Sequence, residues 1–412
     1  MSTFFDRVRP LYSNPSFRTL LLLNLLLGTS TAFVMPFMSM FGMFEVGMSL
    51  FAFGAFMTVN ALSGIVIASF LAHLSDVRVS RRSMLLAGSL AGAAGYAGYA
   101  SFRSFTPLLL TGSLVLGVAS ITFSQLFAYA RDLLTRSDLD PSQSAFYINV
   151  FRMFIALAWT VGPAVATWIM TRYSFRGIFV GASLSLVAFA CLVAWAVPEV
   201  PPRPRRARSD AQPVFVLLGR VDVLSHFAAF VLITASTTIG MMNLPLLIMK
   251  TLHGREADVG IAYSVAPVFE LPFMLYFGWL ATRVPAERVI RAGMVISAAY
   301  YGCLVLVGAP WQVDLCQGLS AAATSVVSGV AITYFQSHLP DHPGTATNLY
   351  ANAQRIGSTA GYFLFAGFTS AFGHRAVFEA CMAFALLALA LMQVPVHVDV
   401  SGREAVEAPR PT

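Results

Sequence analysis

Apolar stretches long enough to cross a bilayer follow one another along almost the whole chain, and this repetition limits the fold more than any other feature. A run of about 20 apolar residues is the length of one membrane-crossing helix. Twelve such segments are predicted: 17–40, 50–73, 84–101, 107–130, 144–170, 177–197, 222–248, 257–281, 290–308, 312–337, 347–371 and 375–395. The chain is 57% hydrophobic and 11% charged, whereas a soluble domain carries about 25% charge. An all-α integral membrane protein is therefore expected.

The charges fix a predicted orientation. The net charge of +7 comes almost wholly from arginine, with Lys250 the only lysine. With the N-terminus placed in the cytoplasm, arginines in cytoplasmic connections outnumber those on the other side by roughly three to one, the positive-inside pattern. Both termini are then cytoplasmic. Because the charges sit in short loops between spans, a nucleic-acid partner is not expected. Cys191, Cys303, Cys316 and Cys381 all fall inside apolar spans without metal-ligand spacing, so they read as packing residues, and neither a metal nor another cofactor is expected. The first apolar run is too long for the hydrophobic region of a cleavable signal.

Residues 198–213, PEVPPRPRRARSDAQP, interrupt the apolar pattern. This Pro- and Arg-rich segment reads as a cytoplasmic linker. It divides the chain into an N-terminal six-helix half (1–197), a linker (198–221), a C-terminal six-helix half (222–395) and a cytoplasmic tail (396–412). Weak echoes join the halves at nearly one separation: Pro36 with Pro245, ITFSQ at 121–125 with ITYFQ at 332–336, and NVFR at 149–152 with NAQR at 352–355. They support duplication of a six-helix unit.

Ionisable and amide groups inside apolar spans are expensive and mark function by default. Glu270 lies within 257–281, roughly 16 Å along its helix from the cytoplasmic end, and Arg152 lies roughly 12 Å into the fifth span. A proton-sensitive Arg152–Glu270 pair is expected, with a static structural ion pair as the plainer reading. Asn60, Gln125, Asn149, Asn352 and Arg355, together with Arg152 and Glu270, supply the directional donors and acceptors that a polar substrate requires. Gln336 adds another amide, and each amide taken singly also suits interhelical hydrogen bonding. Trp159 and Tyr263 suit either stacking on the apolar face of a substrate ring or ordinary packing. His226 reads as an interfacial histidine rather than a relay, and Asn243 is a weaker candidate. No phosphate-cradling Gly-Lys motif, hydrolase elbow or zinc-helix motif occurs, so neither an ATP-driven pump nor an enzyme is expected.

The loop at 68–84, ASFLAHLSDVRVSRRSM, resembles the cytoplasmic loop signature of the major facilitator superfamily, with Asp76 in its acidic position and Arg81 and Arg82 in its basic ones. The resemblance implies a conformational latch; an ordinary positive-inside loop is the alternative. Here Ala68 or Ala72 replaces the signature's first glycine. Gly162–Pro163 resembles the antiporter-associated signature of the fifth helix, or simply a kinked packing helix. TVNALSGI (58–65), SQLFAYARDLL (124–134), FRMFIALAWTVGPAVA (151–166), FELPFM (269–274) and YFQSHLPDHPGTATNLYANA (334–353) are similar to the bacterial sugar efflux transporter family. Arg355 has no evident place in that family's pattern. The resemblance implies proton-linked export of lactose- or glucoside-like sugars, with sugar, protons and the lipid bilayer as partners of a monomer. It also implies a major facilitator fold of two pseudo-symmetric halves and places the fifth and eighth helices against each other. A multidrug or other small-molecule/proton antiporter is the alternative.

Overall fold

The structure, a computed structural model, describes residues 14–77, 79–134, 144–199, 219–281, 283–338 and 343–395. Within these, the side chains of 72–77, 144–146, 148, 149, 152, 328, 338, 343 and 344 lie outside the description. Among the described residues the elements are helices joined by short turns, with no strand. Among the described residues, nine continuous helical stretches are long and apolar enough to span a bilayer.

The first helix, α1 (Pro15–Glu45), starts where Asn14 Oδ1 accepts hydrogen bonds from the Ser16 and Phe17 amides at 3.0 and 3.3 Å, with Pro15 in the first turn. An asparagine cap followed by proline satisfies amides that have no partner within the helix. Pro36 then tightens α1 into a 3₁₀ turn at Met35–Phe37. There follow α2 (Leu50–Val77), α3 (Arg81–Ser101) and α4 (Phe105–Leu134). The apolar stretch Ser144–Ala196 is continuous in sequence but turns at Ser174, where φ is 52° and ψ is −165°. Its arms are α5 (144–173) and α6 (175–196). The second series comprises α7 (Val221–Thr251), α8 (Glu256–Leu280), α9 (Ala286–Leu306) and α10 (Pro310–His338). Pro343–Leu391 turns in the same way at Gly373, with φ 80° and ψ 172°, into α11 (343–372) and α12 (374–391). Both turns fall inside gaps expected from sequence, between 170 and 177 and between 371 and 375.

The helix α3 is absent from the nine candidate spans. Its glycines explain why. A Cβ on Gly92 would lie 2.6 Å from Leu186 of α6 and 3.2 Å from Ala119 of α4, and one on Gly98 would lie 2.8 Å from Thr111. Close approach of backbones replaces large apolar side chains here, so low hydropathy accompanies tight packing.

Helix α1 packs on the α5–α6 arm pair, as does α3, while α7 packs on α11–α12 and α8 on α10. Aromatic clusters fill each series: Phe41, Tyr99 and Phe179 in the first, with Phe41 and Phe179 centroids 4.6 Å apart, and Phe230, Tyr334, Phe335 and Tyr350 in the second. Among the described residues, the two series meet through α5 with α8, α2 with α11, and α1 with α7 and α8. Their close contacts lie toward one end of the molecule. Phe53 meets Phe365 with centroids 6.0 Å apart, a Cβ on Gly54 would lie 2.5 Å from Ala366, and Lys250 Nζ lies 5.3 Å from the Phe44 ring centroid. Ser264 Oγ accepts from the Ala164 amide at 3.2 Å, and Gly260 sits under Thr167 and the Pro163 carbonyl. At the other end, a Cβ on Gly278 would meet no atom within 4 Å.

Candidate substrate cavity

A cavity of about 660 Å³ opens among α1–α5, with Arg355 and Tyr362 reaching it from α11. That size suits a small organic solute. Apolar lining comes from Leu27, Met35, Met38, Met57, Phe123 and Trp159, among others. Polar lining comes from Ser30, Thr31, Asn60, Ser120, Thr122 and Arg355, together with the hydroxyls of Tyr96, Tyr99 and Tyr362.

Of the residues singled out in sequence as substrate ligands, Asn60 and Arg355 meet in this cavity, and Trp159 joins them. The Asn60 Nδ2 donates to the Tyr99 hydroxyl at 3.3 Å, while its Oδ1 is buried without a partner. A Cβ on Gly112 would lie 2.6 Å from Asn60 Nδ2, so only glycine on α4 leaves that amide its place. Arg355 is exposed, and Asn352 is half-buried on the same helix without lining the cavity. Gln125 is drawn elsewhere. It is buried and accepts from Arg81 Nη1 at 3.2 Å. Gln336 donates to Thr347 Oγ1 at 3.0 Å. Glu270 is half-buried on α8, with its backbone carbonyl accepting from Ser325 Oγ at 3.0 Å, and it is not among the lining residues. Asn149, Arg152 and the latch carboxylate Asp76 have side chains outside the described residues.

The Gly162–Pro163 step packs α5 on two faces. A Cβ on Gly162 would lie 2.6 Å from Ala32 of α1. Proline removes one helical donor and disturbs the hydrogen-bond ladder around it. The next amide, Ala164, donates across to Ser264 of α8. His226 is also buried rather than interfacial: Tyr334 Oη lies 2.6 Å from its Nδ1 and the Val394 carbonyl lies 3.1 Å from its Nε2. Asn243, fully buried, donates to the His374 carbonyl at 2.6 Å and faces His374 Nδ1 at 3.0 Å, tying α7 to the start of α12. The Tyr263 hydroxyl donates to the Met241 carbonyl at 2.5 Å.

At the start of α3, Arg81 Nε lies 2.6 Å from Asp132 Oδ2, joining α3 to the end of α4. Arg82 donates to the Ala194 carbonyl at 2.6 Å and approaches Glu199 at 4.0 Å, while Ser80 donates to Glu199 at 3.1 Å. The same design recurs at the start of α9, where Arg291 donates to the Met392 carbonyl at 2.8 Å and pairs with Glu287. Each arginine covers the carbonyl-rich end of its series' last helix, where backbone acceptors are unsatisfied. Sequence reasoning missed Asp132 and Glu199. Asp132 follows Arg131 at the end of the fourth span, and a carboxylate there was the available signal.

Comparison with known proteins agrees with this architecture. The family model of the Major Facilitator Superfamily matches residues 20–234 and 225–411. A Deinococcus radiodurans protein, provisionally named a sugar efflux transporter, is 33% identical over 372 residues, covering 89% of this chain and 95% of that one. Sugar efflux transporter A of Dickeya chrysanthemi is 30% identical, covering 82% and 84% of the two chains. A crystal structure of the nucleoside transporter NupG superposes with a TM-score of 0.78 at 14% identity, covering 92% of this chain and 98% of that one, and so shares the fold.

Proposed function

Because the chain belongs to the major facilitator superfamily and to its sugar efflux transporter family, we propose that it exports lactose- or glucoside-like sugars in exchange for protons. It is a multi-pass membrane transporter, not an enzyme. The two breaks and α3 raise the nine spans to twelve crossings, arranged as halves 1–197 and 222–395 about the linker 198–221, with a tail at 396–412. The protein works as a monomer in the bacterial inner membrane with both termini cytoplasmic.

The observation that carries this reading is the cavity shared by α1–α5 and α11, where Asn60, Arg355 and Trp159 converge. It supplies an apolar wall for pyranose C–H faces and a small number of directed polar groups. In the proposed orientation, the contacts of Gly54, Gly260 and Phe44 lie at the periplasmic end, so the halves rock from a periplasm-closed arrangement to its opposite. Glu270, on the helix that packs against α5, is the proposed proton carrier, with Arg152 as its partner. Asp76, Arg81 and Arg82 form the latch, extended by Asp132 and Glu199. Asn149, Asn352 and Gln125 are assigned to the sugar site in another conformation.

The test is flux of labelled sugars in vesicles under an imposed pH gradient. Acid on the periplasmic face should drive sugar out of the cytoplasmic compartment, and Glu270→Gln should abolish the response to the gradient. Coupling that survives in Glu270→Gln removes its carrier role. The largely apolar wall, with Met35, Met38 and Met57, favours a second reading as an exporter of drug-like apolar compounds. Flux of cationic dyes without sugar flux would establish that reading instead.

A further inference from the structure

The hydrogen-bonding capacity left open in the cavity is unevenly distributed. Ser30 Oγ donates to the Leu27 carbonyl at 2.8 Å, Thr31 Oγ1 to Gly28 at 2.9 Å, and Ser120 Oγ to Gly117 at 2.6 Å. These hydroxyl protons are committed to backbone carbonyls. Asn60 Nδ2 gives one N–H to the Tyr99 hydroxyl, while Asn60 Oδ1 and the Thr122 hydroxyl are buried without a partner. Arg355 also has no hydrogen-bond or ion-pair partner among the described residues, and unlike those buried atoms it is exposed in the cavity wall. It is also the one charged side chain among the described lining residues, which include no Asp, Glu, Lys or His. Its guanidinium brings five N–H donors in a planar fork and one positive charge into a mostly apolar wall.

A neutral sugar hydroxyl satisfies one or two of those donors and leaves the charge uncompensated. A carboxylate or a phosphate ester engages the fork with two parallel hydrogen bonds and neutralises it, and a low-dielectric wall strengthens that attraction. We propose that Arg355 makes this transporter selective for acidic saccharides, sugars carrying a carboxylate or phosphate group that docks on its guanidinium while the ring lies against the Trp159 wall. The inference rests on the sugar-export reading and puts acidic sugars in the place of its neutral lactose- or glucoside-like cargo.

Equilibrium binding to the purified full chain in lipid nanodiscs tests it, with D-glucose, the methyl ester of D-glucuronate, D-glucuronate and D-glucose 6-phosphate as probes. D-glucuronate or D-glucose 6-phosphate should bind at least about tenfold more tightly than the two neutral probes, as a charge-assisted contact implies. The tighter of the two acids identifies the anionic group. Arg355→Gln should bring acid and neutral probes to similar affinities, and Arg355→Lys should keep part of the difference. If Arg355→Gln does not fold, the wild-type affinity ratio and Arg355→Lys still decide. Equal binding of acid and neutral probes by the wild type, or a preference that survives in Arg355→Gln, overturns the inference and leaves sugar export standing. No binding by any of the four overturns the sugar reading beneath it as well.

Discussion

At the residue scale, the polar side chains divide by what they touch rather than by depth. Arg81 and Asp132 are 2.6 Å apart with side chains 30% and 41% exposed. Water screens a pair that open, so its contribution to stability is only about 0.2–1 kcal/mol. Asp132→Asn should lower the thermal stability of the detergent-solubilised protein by that small amount, and Arg81→Gln/Asp132→Asn should cost little more than either single change. A large loss in the double variant, with no coupling between the singles, would show that Arg81 acts through Gln125 instead. If these contacts belong to one conformational state, transport should suffer more than stability does. Initial export rates measured beside unfolding temperatures separate the two effects.

At the element scale, the positive-φ turns at Ser174 and Gly373 are related in position but differ in residue. Ser174 and Gly373 each reverse the chain between long helices, at φ/ψ of 52°/−165° and 80°/172°. That region suits glycine, and a side chain there stores about 1–3 kcal/mol of strain. Ser174→Gly should therefore raise the unfolding temperature, and Gly373→Ala should lower it. Opposite signs from these two substitutions, read by thermal unfolding in the same detergent, check the geometry. A destabilising Ser174→Gly would mean that its side chain offsets the strain.

For the molecule as a whole, the distribution of contacts between the two series matters most. Gly54 lets α2 lie directly on α11, with room for no side chain between it and Ala366. Overpacking such a contact costs about 1–3 kcal/mol, so Gly54→Leu should reduce the population closed at that end by roughly 5- to 150-fold. The readout is labelling of a Ser120→Cys reporter in the cavity by a membrane-impermeant maleimide applied from the periplasmic face, with the native cysteines replaced. Labelling should rise sharply in Gly54→Leu. Unchanged labelling would place the closed gate elsewhere.

The sequence alone pointed to a chain of bilayer-spanning helices, to the gaps in which two long helical stretches turn back, and to the family that it resembles. Hydropathy and charge report depth in the membrane, and depth is nearly a one-dimensional property of the chain. Even so, α3 is weakly marked, because Gly92 and Gly98 exchange apolar bulk for close packing. What faces what was not legible to the same degree. Gln125 and Asn60 have the same chemistry inside apolar spans, yet one is held by Arg81 and the other enters the cavity. Asp132 and Glu199 stood at span ends, marked only as carboxylates there, and their partners emerged when α3, α4 and α6 came together. Rotation of a helix about its axis is set by small-residue contacts with its neighbours, such as Gly162 on Ala32 and Gly260 under Thr167. Only the tertiary structure could therefore decide that Arg355 stands without a described partner in the cavity wall.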